Sequence, residues 1–183
     1  MGNKKLLDRD GVRELIGSLA SDIINRNRKN IKNICIIGIR NRGDILAERL
    51  AKYIYKETGI KPPVGAIDIT LYRDDLTTIG PRPLIGPSEI PCSIDNRIVI
   101  LVDDVLYTGR TVRAALDELV DFGRPLRIEL AVLVDRGGRE LPICPDYVGI
   151  KEDIDKSLNV AVYLEELDGE EGVIVKKEEY GKV

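Results

Sequence analysis

The segment that decides the fold is Ile98 to Leu119, IVILVDDVLYTGRTVRAALDEL. It opens with a continuous apolar run, Ile98 to Val102, of the kind found in a strand that is buried on both faces, as in a parallel sheet. Two adjacent carboxylates, Asp103 and Asp104, end this run, and a short loop with a glycine follows. The segment therefore predicts a strand, an acidic tip, a loop and an amphipathic helix, whose apolar face is Val112, Ala115, Leu116 and Leu119.

The loop between this strand and this helix has the features of a phosphate-binding site. Thr108, Gly109, Arg110 and Thr111 lie where the helix begins, so unpaired N–H groups and the positive end of the helix dipole point outward. The threonine hydroxyls and the Arg110 charge can add to the site, and Gly109 lets the backbone approach a ligand closely. The two ionised aspartates upstream only accept hydrogen bonds, which suits sugar hydroxyls or a divalent cation. A simpler interpretation is an acidic turn and a helix that Thr108 or Thr111 caps.

The string DDVLYTGRT, residues 103–111, resembles the signature of the type I phosphoribosyltransferases, which bind phosphoribosyl pyrophosphate (PRPP). With Tyr107 it is similar to the pyrimidine operon regulators, a family that also acts as uracil phosphoribosyltransferases. The resemblance covers nearly the whole chain, including LYRDDL, GRPLRIELAVLVDRG and ELPICPDYVG. It implies an α/β fold with a mainly parallel twisted sheet flanked by helices, and a flexible loop or hairpin over the active site.

The composition limits the classes of function. The chain has 183 residues, enough for one compact domain over residues 1–183. Its 28 basic and 31 acidic residues give a net charge of -3, so RNA binding would need a local basic face. Histidine is absent, which removes Ser-His and Cys-His nucleophile pairs.

The cysteines and the hydropathy pattern predict a cytoplasmic protein. Cys35, Cys92 and Cys144 are far apart in the sequence and lack metal-binding spacing, so we interpret them as reduced thiols. No apolar run reaches the ~18 residues of a membrane span, and MGNKKLLDRD lacks the apolar stretch of a secretory signal. No membrane partner is expected.

The remaining elements follow from periodicity and chain breakers. A first helix, capped by Asp8 or Asp10, should reach about Arg26, and a long proline- and glycine-rich loop should occupy about residues 72–95. The other predicted elements are strands at Ile34 to Ile39, Val64 to Leu71 and Arg127 to Val134, a helix from about Asp44 to Tyr55, edge strands at Asn159 to Leu164 and Gly172 to Val175, and a solvated charged tail from about Lys176 to Val183.

The loop after the predicted strand Ile34 to Ile39 reads Arg40-Asn41-Arg42-Gly43. Two arginines at the carboxyl end of a parallel strand can meet an anion, although a solvated turn is the alternative. The resemblance implies that this loop binds the pyrophosphate and that Arg73, in the flexible loop, reaches it as well. It assigns catalysis to Asp103, Asp104 and Arg73, and PRPP or UMP binding to Arg40, Asn41, Arg42, Gly43, Val105, Leu106, Tyr107, Thr108, Gly109, Arg110 and Thr111.

The implied reaction is uracil plus PRPP giving UMP and pyrophosphate. Mg²⁺ would be held mainly by PRPP, with no direct protein ligand, and the nucleobase would lie near Arg136 and Val134. A purine phosphoribosyltransferase shares the fold and the PRPP site, so it remains an alternative. A regulator that senses UMP or UTP without significant catalysis is another.

The resemblance also implies UMP-dependent binding of pyrimidine-operon leader RNA, by a homo-oligomer that is a dimer and possibly a tetramer or hexamer. Family members carry a Thr and a His on the first helix, where this chain has Gly17 and Ser21. Their VDRGHRE string reads VDRGGRE here, with Gly138 in place of the His. The candidate RNA-binding residues are Arg26, Arg28, Arg139 and Lys151, although basic residues at the end of a helix are also explained by the helix dipole and solvation.

Overall fold

The structure is a computed structural model that describes residues 4–69 and 88–177. In chain order its elements are β1 (Lys4–Leu7), α1 (Arg9–Arg26), β2 (Ile34–Ile39), α2 (Arg42–Thr58), β3 (Val64–Ile67), β4 (Ile98–Leu106), α3 (Arg110–Phe122), β5 (Arg127–Asp135), β6 (Tyr147–Lys151), β7 (Leu158–Tyr163), α4 (Glu165–Asp168) and β8 (Gly172–Lys177).

The main sheet has five parallel strands in the order β3-β2-β4-β5-β6. Every residue of β2 is buried, as its apolar run predicted. Ile34 and Ile36 pack with α1 and α2, whereas Cys35 and Ile37 pack with α3, so helices cover both faces of the sheet. From the adjacent central strands β2 and β4 the chain continues toward opposite edges of the sheet, which is where α/β proteins form ligand sites.

A second sheet is antiparallel and has the order β1-β8-β7. It packs against α1 and the apolar core on the α1 and α2 face of the main sheet. The predicted edge strands are therefore strands, but they form a sheet of their own with β1, which the sequence analysis did not anticipate. Alternate residues Val160, Val162, Val173 and Val175 are buried in the core. Because β8 continues to Lys177, the predicted solvated tail begins too early at Lys176; residues 178–183 lie outside the described part.

The helix boundaries follow local chemistry. Asp8 caps α1, since its carboxylate accepts a hydrogen bond from the Gly11 N–H at 2.9 Å. Helix α2 begins at Arg42 and ends at Thr58, longer than predicted, with Gly59 as a left-handed cap at φ 71°. No helix in the described ranges 4–69 and 88–177 is long and apolar enough to cross a bilayer.

The described end of the predicted loop, residues 88–95, is attached to the sheet. Ala66 and Glu89 exchange two backbone hydrogen bonds of 2.9 and 2.7 Å, and Ile94 is fully buried. Cys92 lies here, with its Sγ atom 3.6 Å from the Sγ atom of Cys35, so these two thiols are neighbours in space. Residues 72–87, including Arg73, lie outside the described part of the chain.

Candidate active site

The carboxyl ends of β2 and β4 meet at one edge of the main sheet, and glycines allow their backbones to touch. A Cβ atom on Gly43 would come within 2.4 Å of the Val102 carbonyl oxygen, and one on Gly38 within 2.3 Å of the Gly43 oxygen. Only glycine fits at these two positions. The loop 40–43 is thereby held directly beside the acidic pair at the end of β4.

The acidic pair lies within β4 rather than in a turn after it, because the strand continues to Leu106. One Asp103 oxygen accepts a hydrogen bond from the Asp104 N–H at 3.0 Å, and one Asp104 oxygen accepts from the Val105 N–H at 2.8 Å. Burial, and then the neighbouring charge of Asp104, raise the pKa of Asp103 well above its usual range. Burial also raises the pKa of Asp104, although the positive charge of Arg42 opposes this shift. The pair therefore favours ligands that bring hydroxyl donors or positive charge.

The loop after β4 presents the start of α3 to this edge. Gly109 has φ 94° and is the N-cap of α3, without a side-chain cap, so the capping roles considered for Thr108 and Thr111 are wrong. The Thr108 hydroxyl instead accepts a 3.3 Å hydrogen bond from the Arg110 N–H, inside the loop. The Arg110 guanidinium lies 2.9 Å from Glu140, and both side chains are about half exposed.

The arginines of the loop 40–43 carry buried donors without a hydrogen-bond partner among the described residues. These donors are the Nε atoms of Arg40 and Arg42. One terminal nitrogen of Arg42 lies 2.9 Å from Asp168, whereas the Arg40 guanidinium is 3.9 Å from Glu89. A buried N–H without an acceptor is costly, and the described residues supply none for these two groups, which suits an anionic ligand.

A cavity of about 320 Å³ lies between this edge and the second sheet. Arg42 and Asp104 line one side of it, and Tyr163 and Lys176 line the other. A larger cavity of about 620 Å³ lies beside β3, but neither aspartate lines it. We place the candidate site at the smaller cavity, because Asp104 of the acidic pair and Arg42 of the arginine loop both line it.

Comparisons with known proteins agree with this arrangement. A family model, the phosphoribosyl transferase domain, matches residues 2–168. The chain is 53% identical over 171 residues to a bifunctional protein PyrR of Pelotomaculum thermopropionicum, covering 93% of this chain and 94% of that protein. The chain belongs to the PyrR family of phosphoribosyltransferases. A bifunctional protein PyrR of Roseiflexus sp. is 50% identical over 169 residues, 92% of each chain.

Solved structures confirm the fold class. The hypoxanthine phosphoribosyltransferase of Trypanosoma cruzi superposes with a TM-score of 0.71 at 19% identity, over 96% of this chain and 97% of that one. That of Staphylococcus aureus gives 0.68 at 21% identity, over 96% and 93%. The predicted parallel sheet flanked by helices, of the type I phosphoribosyltransferase kind, is thus confirmed. The relatives at 50–53% identity confirm the resemblance to the pyrimidine operon regulators.

The two residues predicted to bind the nucleobase, Val134 and Arg136, are both buried in the structure. Val134 is fully buried in the core, so its side chain does not reach the cavity. Arg136 is only 4% exposed, and it donates to the carbonyl oxygens of Asp155 and Leu158 at 3.1 and 2.9 Å. The Tyr107 ring stacks on this guanidinium, with 4.0 Å between the guanidinium carbon and the ring centroid.

Sequence reasoning did not identify Tyr163 and Lys176, which line the cavity. Their side chains lie close together, with 3.5 Å between the Lys176 Nζ atom and the Tyr163 hydroxyl. The only signal was the alternation of β7, in which Val160 and Val162 are buried and the residues between them face the other way. That signal could not show what the outer face meets.

Of the four predicted RNA-binding residues, Arg139 is placed differently from expectation. Its guanidinium donates to the carbonyl oxygens of Tyr107 at 2.8 Å and Ile143 at 3.0 Å, and to an Asp135 oxygen at 2.6 Å. These bonds use all three guanidinium nitrogens, so the side chain joins the end of β5 to two neighbouring loops. Binding of RNA by Arg139 stays a prediction.

The other basic candidates lie near the edge strand β6. Arg26 is half exposed and pairs with Asp146 at 2.9 Å, immediately before β6, and Lys151 is the exposed last residue of that strand. Because β6 spans about 13 Å, Arg26 and Lys151 lie near opposite ends of this strand. Arg28 is exposed just beyond α1. On α1 itself, the Ser21 hydroxyl donates to the Gly17 oxygen at 3.0 Å.

Proposed function

We propose that the chain transfers the phosphoribosyl group of PRPP to uracil and that it binds pyrimidine-operon leader RNA when UMP is bound. The observation that carries the enzymatic part is the pair of buried Nε donors on Arg40 and Arg42, which no described residue satisfies, beside the buried acidic pair. PRPP matches both features, because its pyrophosphate accepts hydrogen bonds and its ribose hydroxyls donate them. Family membership supports the same substrate.

Each part of the site then has a role in the reaction. The uracil N1 atom attacks the anomeric carbon and the bond to pyrophosphate breaks. The electron pair of that bond leaves with the pyrophosphate, and the N1 proton passes to water. Asp103 and Asp104 accept from the ribose hydroxyls, and their charge favours the cationic sugar of the transition state. Arg40 and Arg42 neutralise the leaving group, and residues 108–111 hold the 5′-phosphate.

Magnesium fits this site as a companion of PRPP. Mg²⁺ commonly binds through one or two carboxylates together with substrate phosphates, and the acidic pair lies next to the loop proposed for the pyrophosphate. When bound, the ion would screen the charge of the leaving group. Among residues 4–69 and 88–177 there is no group of three or more Asp, Glu or Cys side chains suited to a metal. The ribose and pyrophosphate oxygens therefore supply most of its ligands in our proposal.

The proposal retains three expectations from the sequence. Arg73, which lies outside the described residues, would approach the pyrophosphate from the loop at about 72–95. The whole chain would act as a single domain in the cytoplasm, and it would assemble into a dimer or a larger homo-oligomer. Sedimentation velocity of the purified chain, with and without UMP, tests the assembly.

A nucleobase panel tests the reaction. Nucleotide formation from PRPP and Mg²⁺ would be followed with uracil, cytosine, hypoxanthine and guanine as separate acceptors. We expect turnover with uracil and little with the purines. Preference for hypoxanthine or guanine would favour the alternative of a purine phosphoribosyltransferase, and UMP binding without turnover would favour a nucleotide-sensing regulator.

The RNA-binding part rests on the family and on the basic residues beside β6. Filter binding of leader RNA would be measured with and without UMP over a series of salt concentrations, because phosphate contacts weaken as salt rises. We expect UMP to tighten binding, and we expect Arg28→Ala to weaken it without changing stability. Weak binding that UMP does not change would mean that Gly17, Ser21 and Gly138 mark a lost function.

A further inference from the structure

The side chain of Arg42 lies between two carboxylates of different origin. Its Nη2 atom donates to Asp168 of α4 at 2.9 Å, and its charge also acts on Asp104 in the acidic pair. The Arg42 side chain is one-third exposed and that of Asp168 less than one-fifth. One hydrogen bond to Asp168 leaves the other guanidinium N–H groups, including the buried Nε, for a further acceptor. The contact therefore orients the guanidinium without using all of its donors.

Asp168 is itself fixed in place by its own helix. Its second carboxylate oxygen accepts a 2.8 Å hydrogen bond from the Leu164 N–H, so both oxygens have defined partners. Leu164 is fully buried in the core. A carboxylate held at both oxygens can define the direction of the arginine that it binds.

Helix α4 is in turn attached to α2. Arg49 of α2 makes two hydrogen bonds to Glu166, at 3.0 and 2.6 Å, and also pairs with the buried Glu171. Such a two-point contact fixes the orientation of the carboxylate as well as its distance. Because α2 also begins with Arg42, both ends of the Arg42–Asp168 contact are joined to one helix.

We propose that Asp168 is a positioning residue that holds the Arg42 guanidinium in the direction needed to meet the pyrophosphate of PRPP. The inference rests on the proposed function, since it assumes that Arg42 binds this group. The contact is partly exposed, so it contributes little to folding stability by itself. Its value is preorganisation, because an arginine already oriented loses less freedom when the ligand arrives.

The contact predicts different effects for two substitutions. Asp168→Asn keeps one acceptor oxygen for two donors, the Arg42 Nη2 atom and the Leu164 N–H, so it retains only part of the contact and should raise the KM for PRPP less than Asp168→Ala does. Asp168→Ala removes the acceptor and leaves Arg42 free to rotate. We expect the KM for PRPP to rise about tenfold in Asp168→Ala with kcat nearly unchanged, the pattern of lost substrate binding.

A double-mutant cycle with Arg42→Ala separates this role from a general structural one. If Asp168 acts through Arg42, then adding Asp168→Ala to Arg42→Ala changes the KM for PRPP by less than about twofold. Glu165→Ala is the matched control, because Glu165 also lies on α4 but pairs with Arg9 at 3.2 Å and not with Arg42. We expect it to leave the KM unchanged.

Three results would overturn the proposal: no rise in KM in Asp168→Ala, the same rise in the Arg42→Ala background, or an equal rise in Glu165→Ala. Calorimetric titration of the full chain with PRPP and Mg²⁺ repeats the cycle without an acceptor base. A wild-type chain that binds PRPP but does not convert uracil contradicts the proposed reaction alone, and the titration still decides the role of Asp168. A wild-type chain that does not bind PRPP contradicts both.

Discussion

The contacts of Arg139 predict that Arg139→Ala lowers the stability of the fold more than it weakens RNA binding through the loss of a direct contact. Arg139→Ala removes the ion pair to Asp135, which is 4% exposed, and also removes donors from the Tyr107 and Ile143 carbonyls. Removing one partner of a buried ion pair lowers the free energy of unfolding by about 3–5 kcal/mol. We use the lower end of this range because the Arg139 side chain is 22% exposed.

This loss should be visible in simple denaturation experiments. A destabilisation of about 3 kcal/mol lowers the melting temperature by roughly 6–12 °C in a chain of this size. Arg28→Ala is the control, because that side chain is exposed, and we expect its stability to stay within about 0.5 kcal/mol of wild type. The measurements are urea and thermal denaturation at fixed protein concentration. If Arg139→Ala unfolds within about 1 kcal/mol of wild type, the contacts do not stabilise the protein as we argue.

Three other predictions concern the acidic pair, the glycine loop and the thiols. Burial raises the pKa of Asp103 in the folded protein, so the wild type loses stability as the pH rises through this pKa. Asp103→Asn should therefore abolish turnover but be more stable than the wild type at pH ~8, and not at pH ~4. A variant that is less stable than the wild type in urea at pH ~8 would contradict this. Gly138 has φ 69°, and a Cβ atom added there would lie 2.5 Å from the Tyr107 ring. Gly138→Ala should therefore lower the free energy of unfolding by at least about 1–2 kcal/mol and weaken UMP binding. Unchanged melting and UMP titration curves would refute this prediction. The Sγ atoms of Cys35 and Cys92 lie 3.6 Å apart, but burial raises the pKa of the Cys35 thiol to about 12. Oxidised glutathione should therefore join first to Cys92, releasing one reduced glutathione, and Cys35 should displace the second only slowly. Peptide mapping should find the Cys35–Cys92 bond in wild type after long incubation and not in Cys92→Ser, and a bond to Cys144 instead would contradict this.

The parts of the fold that the sequence predicts best are those governed by local patterns. The run Ile34 to Ile39 matches the bounds of β2, and Asp8 caps α1 as one of two predicted candidates. The strand β1 was not predicted because it is short and is stabilised by pairing with β8, at the far end of the chain. Strand β6 was also missed, since it is short and contains Gly149.

The candidate site shows the same division. The motif around Asp103 and the arginine loop were found from residue types that follow apolar strands, and the structure brings them to one edge. Arg136 donates to carbonyls 19 and 22 residues away, and Arg139 donates to the Tyr107 carbonyl 32 residues away, so no local pattern indicates these contacts. The link from Arg42 to Asp168 spans 126 residues, and no local pattern indicates it.

The central claim is that the protein catalyses phosphoribosyl transfer with the help of Asp103 and Asp104, and that this acidic pair does not serve only to bind a nucleotide. The most direct measurement is the rate of UMP formation from uracil, PRPP and Mg²⁺ by the wild-type chain and by Asp104→Asn, with circular dichroism to verify that both are folded. We predict repeated turnover by the wild type and a loss of about 100-fold or more in kcat for the variant. A folded wild type that binds UMP but forms none from uracil, or a variant as fast as the wild type, would contradict the account.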